Sequence, residues 1–145
     1  MKALQSIILL TVAAIFLQAT PPHEPETTGI QFHEGTWEQA LQMAKEQDKL
    51  IFLDAYASWC GPCKLLKRNV FSKESVGTYF NVNFINVAID MEKGIGPKLA
   101  NQYGVTAYPT LFFINGDGKV IQKAVGYHNE DQLIGLAKRV PNERS

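Results

Sequence analysis

The sequence predicts an α/β domain in which a mixed central β-sheet is flanked by helices on both faces. Residues 49–56 form a nearly continuous apolar run, which is typical of a strand that helices cover on both sides. Segments with helical spacing of apolar residues precede and follow this run, so helices are expected to connect parallel strands. Residues 110–125 contain two apolar runs joined by Asn-Gly-Asp-Gly, which predicts an antiparallel hairpin. The resulting order, βαβαβαββα, combines parallel and antiparallel pairs in one sheet.

The individual elements follow from the same patterns along the chain. Strands are expected at residues 30–32, 49–56, 83–89, 110–114 and 119–125, and helices after 36, at 64–70, after 72, at 97–103 and after 129. Thr36 and Gln39 have the spacing of a capping box, and Trp37 is expected to belong to the buried face of the first helix. Ser72 is expected to be the N-cap of the third helix, and Asn129 opens the last one.

The first 29 residues are expected to lie outside the folded domain. Lys2 followed by the apolar run 7–17 has the composition of a signal peptide, and the run is shorter than the roughly 20 residues that span a bilayer. The expected organisation is a signal peptide at 1–19, a proline-rich linker at 20–29 and one domain at 30–145. An uncleaved membrane anchor is the alternative, because Leu17 is larger than the residue preferred near a cleavage site after Ala19.

The chain contains only two cysteines, Cys60 and Cys63, at the junction between the central strand and the next helix. A helix N-terminus favours a thiolate, Pro62 fits the first helical turn, and Gly61 is expected to permit a tight turn. A structural zinc site would need four ligands, and the chain offers no second pair of cysteines. A purely structural disulfide is also disfavoured, because a bridge across two residues closes a very short loop and constrains the unfolded chain least. The pair therefore predicts redox chemistry without a metal or other cofactor, since the two sulfurs carry both electrons.

Several features around this pair resemble the active site of the thioredoxin superfamily. The matching motif consists of Trp59, Cys60, Gly61, Pro62, Cys63 and Lys64. Asp54 lies six residues before Cys60, where the family has a buried acid. The segment of Tyr108, Pro109 and Thr110 resembles the family's loop with a cis-proline. Gly126 lies where the family has a glycine after its last strand. The resemblance covers about residues 50–140 and implies a thioredoxin fold. It is greatest for exported members such as the C-terminal domain of the thiol–disulfide interchange reductase.

The resemblance and the helix position together assign roles to these residues. Cys60 is expected to be the nucleophile and Cys63 the more buried resolving thiol. Asp54 is expected to have a raised pKa and to take the proton from Cys63. The neutral Asn86 stands where the family often has a lysine, so no positive charge is expected to ease the carboxylate. The client-binding residues are expected to be Tyr108, Pro109, Thr110 and Gly126, with Trp59 as a rim aromatic.

These observations predict an exported thiol–disulfide oxidoreductase that reduces disulfides in client proteins. Net oxidation or isomerisation is one alternative, and a client-binding module without catalysis is another. The expected partners are disulfide-containing clients and a membrane dithiol that donates electrons, in the periplasm or another extracytoplasmic space. The 14 basic and 14 acidic residues balance, which argues against nucleic acid as a partner, and a monomer is expected.

Overall fold

The computed structural model of this protein describes residues 28–141. The helices and strands, in chain order, are α1 (Trp37–Glu46), β1 (Leu50–Tyr56), α2 (Gly61–Leu66), α3 (Glu74–Asn83), β2 (Phe84–Asp90), α4 (Gly96–Gln102), β3 (Thr110–Ile114), β4 (Val120–Val125) and α5 (Glu130–Lys138). A π-helical turn, Lys67–Phe71, continues α2 towards α3. The expected signal peptide at 1–19 and residues 20–27 of the expected linker lie outside the described residues. Within residues 28–141, no helix is long and apolar enough to cross a membrane.

The strands form one mixed sheet in the order β2-β1-β3-β4. The neighbours β1 and β2 are parallel, as expected for strands joined by helical crossovers, while β3 is antiparallel to both β1 and β4. Because β1 lies between two partners and under helices on both faces, all but the last of its residues are buried. The predicted mixed sheet and the hairpin are therefore confirmed.

The side chains of β1 alternate between two apolar clusters, one on each face of the sheet. Ile51 and Leu53 join residues of α1 and α4, including the buried Trp37. Phe52 points to the other face and joins residues of α2, α3 and α5. Its ring lies 4.7 Å from Phe80 and 5.5 Å from Phe113 between centroids, so aromatic packing dominates this side. Helices on both faces hold β1, and hence the segment that follows it, in place.

Local signals for helix starts are confirmed at the two capping boxes. Thr36 and Gln39 cap α1 reciprocally, and Asn129 and Gln132 do the same for α5. The expected cap at Ser72 is wrong. Ser72 donates its hydroxyl to the carbonyl of Arg68 at 2.6 Å, because the π-helical turn before it leaves carbonyl groups to satisfy, and α3 starts after residue 73.

The strand expected at residues 30–32 is also wrong. This segment runs along the domain, but its backbone bonds to other elements: Ile30 N–H donates to Phe71 O at 2.7 Å, and Gln31 N–H donates to Asn81 Oδ1 at 2.9 Å. Gly29 is buried before it, and a Cβ there would lie 2.4 Å from Phe71 O. The segment meets the edge strand β2 at Asn86, which accepts from His33 N–H at 2.8 Å, but the π-helical turn and α3 take the backbone N–H groups of Ile30 and Gln31.

Candidate active site

The two cysteines form a disulfide at the start of α2. Cys60 is the N-cap residue, and its Sγ accepts a hydrogen bond from the backbone N–H of Cys63 at 3.2 Å. Pro62 lies in the first turn, where its missing N–H costs nothing. Gly61 has helical backbone, and open space lies where a Cβ would stand, so the expected tight turn is not the reason for glycine at this position.

Burial does not separate the two cysteine residues as the sequence had led us to expect. In the disulfide form Cys60 is 2% exposed and Cys63 is 5% exposed, so the prediction of a more buried Cys63 is wrong for this form. The reason is tertiary, because Ala57, Tyr56 and Tyr108 pack against the pair. The difference between the cysteines is their surroundings: Cys60 caps the helix, and Cys63 lines a cavity behind it.

The loop facing the disulfide contains the expected cis peptide bond, between Tyr108 and Pro109. Pro109 O accepts a hydrogen bond from Gly126 N–H at 2.8 Å, and Gly126 has φ +91°, a backbone conformation that favours glycine. Thr110 is fully buried and donates its hydroxyl to the Ala107 carbonyl at 2.7 Å. The side chain of Thr110 therefore fastens the loop and presents no surface to a client, whereas Tyr108 is half-buried at its rim.

Trp59 covers the rim beside the disulfide and is 66% exposed. Its ring packs edge-on against Tyr108, with 6.0 Å between centroids, and its Nε1 donates to Glu92 Oε2 at 2.9 Å. Partial burial, with the negative charges of Glu92 and Asp90, raises the pKa of the Tyr108 phenol. The two aromatic rings thus form one surface next to the sulfurs with an acidic group at its side.

The acidic group is Glu92, in the loop that follows β2, and no pattern in the sequence analysis had pointed to this loop. Asp90 accepts from Glu92 N–H at 3.0 Å, which together with Lys93 holds the pKa of its carboxyl below the ordinary value. Lys93 Nζ lies 3.1 Å from Asp90 Oδ2 and donates to Ser58 Oγ at 3.1 Å. A signal for the contact exists in the sequence: β1 and β2 are parallel neighbours, so the residues after each strand meet at one edge of the sheet.

Asp54 lies behind Cys63, on the central strand, and is 5% exposed. Both residues line a cavity of about 360 Å³, together with Lys64, Lys67 and the aromatic rings of Phe32 and Phe71. No protein group hydrogen-bonds to Asp54 Oδ1. Burial raises the pKa of Asp54 from 3.8 to about 7, and the positive charge of Lys67 opposes that rise in part. The expected burial and raised pKa of this acid are confirmed.

The expectation that no positive charge eases Asp54 is wrong. The parallel register places Ala88 opposite Asp54, while Asn86 lies opposite Phe52 and is itself buried. The compensating charge comes from a helix on the same face of the sheet as Asp54, from Lys67 at the start of the π-helical turn. Matching the family's lysine to a position on β2 does not identify Lys67, because Lys67 belongs to the π-helical turn.

A family model described as a thioredoxin-like domain matches residues 37–141. The chain belongs to the thioredoxin-like family. Thioredoxin H-type 2 of Nicotiana tabacum is 34% identical over 104 residues, which cover 72% of this chain and 82% of that protein. A solution structure from Bacteroides thetaiotaomicron, of a protein provisionally described as a disulphide-isomerase, is 42% identical with a TM-score of 0.71, covering 83% of this chain and 100% of that one. The oxidised C-terminal domain of DsbD from Neisseria meningitidis shares the fold, with a TM-score of 0.62 at 21% identity over 77% of this chain and 99% of that domain.

Membership of the thioredoxin-like family explains the arrangement of the site. The Cys60–Cys63 disulfide is the redox-active pair of a thioredoxin-like disulfide oxidoreductase. A pair of this kind exchanges two electrons with other dithiols and disulfides through mixed disulfides.

Proposed function

We propose that the protein is an exported reductase of disulfides in other proteins. The observation that carries this proposal is the disulfide itself: Cys60 at the cap of α2, Cys63 facing a cavity with a buried acid, and cis-Pro109 opposite. The direction of electron flow is supported by the Gly-Pro pair between the cysteines, which resembles the reducing thioredoxins. The relatives that exceed 30% identity over 72% of the chain include thioredoxins.

The first step forms a mixed disulfide. In the disulfide form Cys63 N–H donates to Cys60 Sγ; after reduction, this N–H and the partial positive charge of the helix start would favour the Cys60 thiolate. This thiolate attacks one sulfur of the client disulfide, a new S–S bond forms, and the second client sulfur leaves as a thiolate.

The second step releases the client. Cys63 loses its proton to Asp54 across the cavity and attacks Cys60 Sγ, so the Cys60–Cys63 bond forms and the mixed disulfide breaks. The client leaves with both of its sulfurs reduced, and the protein holds one disulfide, so two electrons have passed. A carboxyl whose pKa is about 7 suits this exchange, because an acid–base group works best near the operating pH.

The client surface consists of the two rim aromatics and the cis-proline loop. Trp59 is exposed beside Cys60, Tyr108 packs against its ring and against the cysteine pair, and Pro109 follows Tyr108 through the cis bond. An extended client segment would bind along this loop through backbone hydrogen bonds, as extended peptides do at open strand edges. Gly126 presents no side chain beside this loop, and open space lies where a Cβ would stand.

The reduction potential of the Cys60–Cys63 pair tests the direction. The pair is equilibrated with defined ratios of reduced and oxidised dithiothreitol, and the disulfide fraction is measured by thiol alkylation and mass spectrometry. We expect a potential within roughly 30 mV of the about −270 mV of thioredoxin. A potential near the about −180 mV of protein disulfide isomerase would instead support the second candidate function.

That second candidate, disulfide isomerisation, is favoured by one observation. The Bacteroides protein, at 42% identity, carries a provisional assignment as a disulphide-isomerase. Two assays run in parallel distinguish the activities. Reactivation of ribonuclease with scrambled disulfides measures isomerisation, and insulin reduction measures reductase activity. Failure in both assays with an intact Cys60–Cys63 pair would leave the non-catalytic client-binding module.

Export is proposed from residues 1–19 and from the type of relative that the chain resembles. We propose that the domain works in the periplasm or another extracytoplasmic space, where a membrane dithiol returns it to the reduced form. Fractionation of cells with N-terminal sequencing of the mature protein tests this. A start near Thr20 in the soluble extracytoplasmic fraction supports cleavage. Full-length protein that stays in the membrane after a high-salt wash supports the uncleaved anchor.

A further inference from the structure

We propose that Lys67 is a positioning residue for client release, acting through Asp54 from across the cavity behind Cys63. This proposal rests on the proposed reductive function, in which Asp54 receives the proton of Cys63. Lys67 touches neither the sulfurs nor the client, and its part is to keep Asp54 able to accept a proton.

The helix geometry places Lys67 on the side of the active site. Lys67 follows Cys63 by four residues, and residues four apart share one face of a helix. Its backbone N–H bonds to the carbonyls of Cys63 and Lys64, so the helix is intact between them. Both Cys63 and Lys67 line the 360 Å³ cavity that Asp54 also lines. Lys67 is the C-cap residue of α2 and the first residue of the π-helical turn.

The other groups around Asp54 do not replace this charge. On its own strand the titratable neighbour is Tyr56, and the facing residues of β2 and β3 are Ala88 and Leu111, which carry no charge. Phe32 and Phe71 close the cavity with apolar rings. Besides Asp54 and Cys63, the charged or titratable side chains that line the cavity are Tyr56, Lys64 and Lys67. Of these two lysines, Lys67 is the one whose charge opposes the rise in the pKa of Asp54, so Lys64 at the same cavity provides a matched control.

Burial and Lys67 act on Asp54 in opposite directions. Burial favours the neutral acid, because a carboxylate in this cavity loses solvation, whereas the ammonium group of Lys67 favours the carboxylate. The effect of Lys67 on Asp54 is coulombic, so it depends on the charge of the ammonium group. Without Lys67, a larger share of Asp54 would be protonated at neutral pH and unable to take the proton of Cys63.

The first experiment measures the titration of Asp54 directly, in the oxidised protein where the cysteines do not titrate. The carboxyl carbon of Asp54 is followed by NMR from pH 4 to pH 9, with Asp54→Asn to assign the signal. In Lys67→Met the midpoint should rise by at least about 0.3 pH unit, which is modest for the loss of a charge across a cavity. Lys67→Arg should restore the parent midpoint, and Lys64→Met should shift it less than half as far. Lys67 is exposed, and methionine keeps the length of its apolar stem, so folding should be retained.

The second experiment measures release from a preformed mixed disulfide between Cys60 and a chromogenic thiol, over the same pH range. In Lys67→Met the release rate at pH 7 should fall about 1.5- to fivefold and recover at higher pH, with Lys67→Arg close to the parent. An unchanged Asp54 midpoint in Lys67→Met, or an equal shift in Lys64→Met, overturns the proposal whatever the rates show. A release rate that Asp54→Asn leaves unchanged overturns the role of Asp54 itself, and the proposal with it.

Discussion

Replacing Asp54 by asparagine should stabilise the oxidised protein at neutral pH. Asp54 is 5% exposed on the central strand, and burial raises the pKa of its carboxyl from 3.8 to about 7. The folded protein therefore holds a proton on Asp54 across a pH range in which the unfolded chain has lost it. Asparagine has nearly the same shape and never has to be charged in this cavity.

The magnitude follows from the two pKa values. Their difference corresponds to roughly 4 kcal/mol, since each unit is worth about 1.4 kcal/mol. This contribution is fully present below pH 3.8, falls as the unfolded chain releases its proton, and is lost once the pH passes about 7. An amide left without partners in the cavity costs about 1–3 kcal/mol and offsets part of the gain. We expect Asp54→Asn to be about 1–4 kcal/mol more stable than the parent at pH 7.5.

Urea unfolding of both oxidised proteins at several pH values between 4 and 8 provides the test. The difference in the free energy of unfolding, variant minus parent, should be small or negative at pH 4 and should grow steadily up to about pH 7. A difference that does not depend on pH would show that Asp54 titrates normally in the folded protein. A variant less stable than the parent at pH 7.5 would likewise refute the argument from burial.

Three further predictions concern other parts of the chain. Cys60→Ser should abolish disulfide reduction, while Cys63→Ser should accumulate client mixed disulfides on Cys60; equal trapping of clients on Cys63 in the Cys60→Ser protein would contradict this order. Gly77→Ala would place a Cβ 2.2 Å from the backbone oxygen of Gly29, so urea unfolding should show a loss of about 1–3 kcal/mol, and an unchanged midpoint would contradict the close packing there. Glu92→Ala removes the acceptor of the rim indole, so kcat/KM for protein clients should fall about two- to fivefold with unchanged unfolding; equal kcat/KM would show that this bond does not order the rim.

Features that depend on neighbours along the chain could be predicted from the sequence. The capping boxes at Thr36 and Asn129 and the antiparallel hairpin formed as expected, because each depends on a few adjacent residues. Two local signals failed where another element offered better partners. Residues 30–32 bonded to α3 and the π-helical turn instead of forming a strand, and Ser72 bonded backwards to Arg68.

The candidate site also has features that the sequence determined and features that only the tertiary structure decided. The sequence by itself determined the redox pair and its position at a helix start, and the resemblance to the thioredoxin superfamily implied the cis-proline loop. The same resemblance implied that Asp54 would be buried, and it lies in a strand whose residues are buried up to the last one. Only the tertiary structure decided which charges meet these groups. Lys67 reaches the cavity because α2 packs across β1, and Glu92 reaches Trp59 because two parallel strands end at one edge. Electrostatic interactions depend on distance in space, and such distances are set by packing between elements that are remote in the chain.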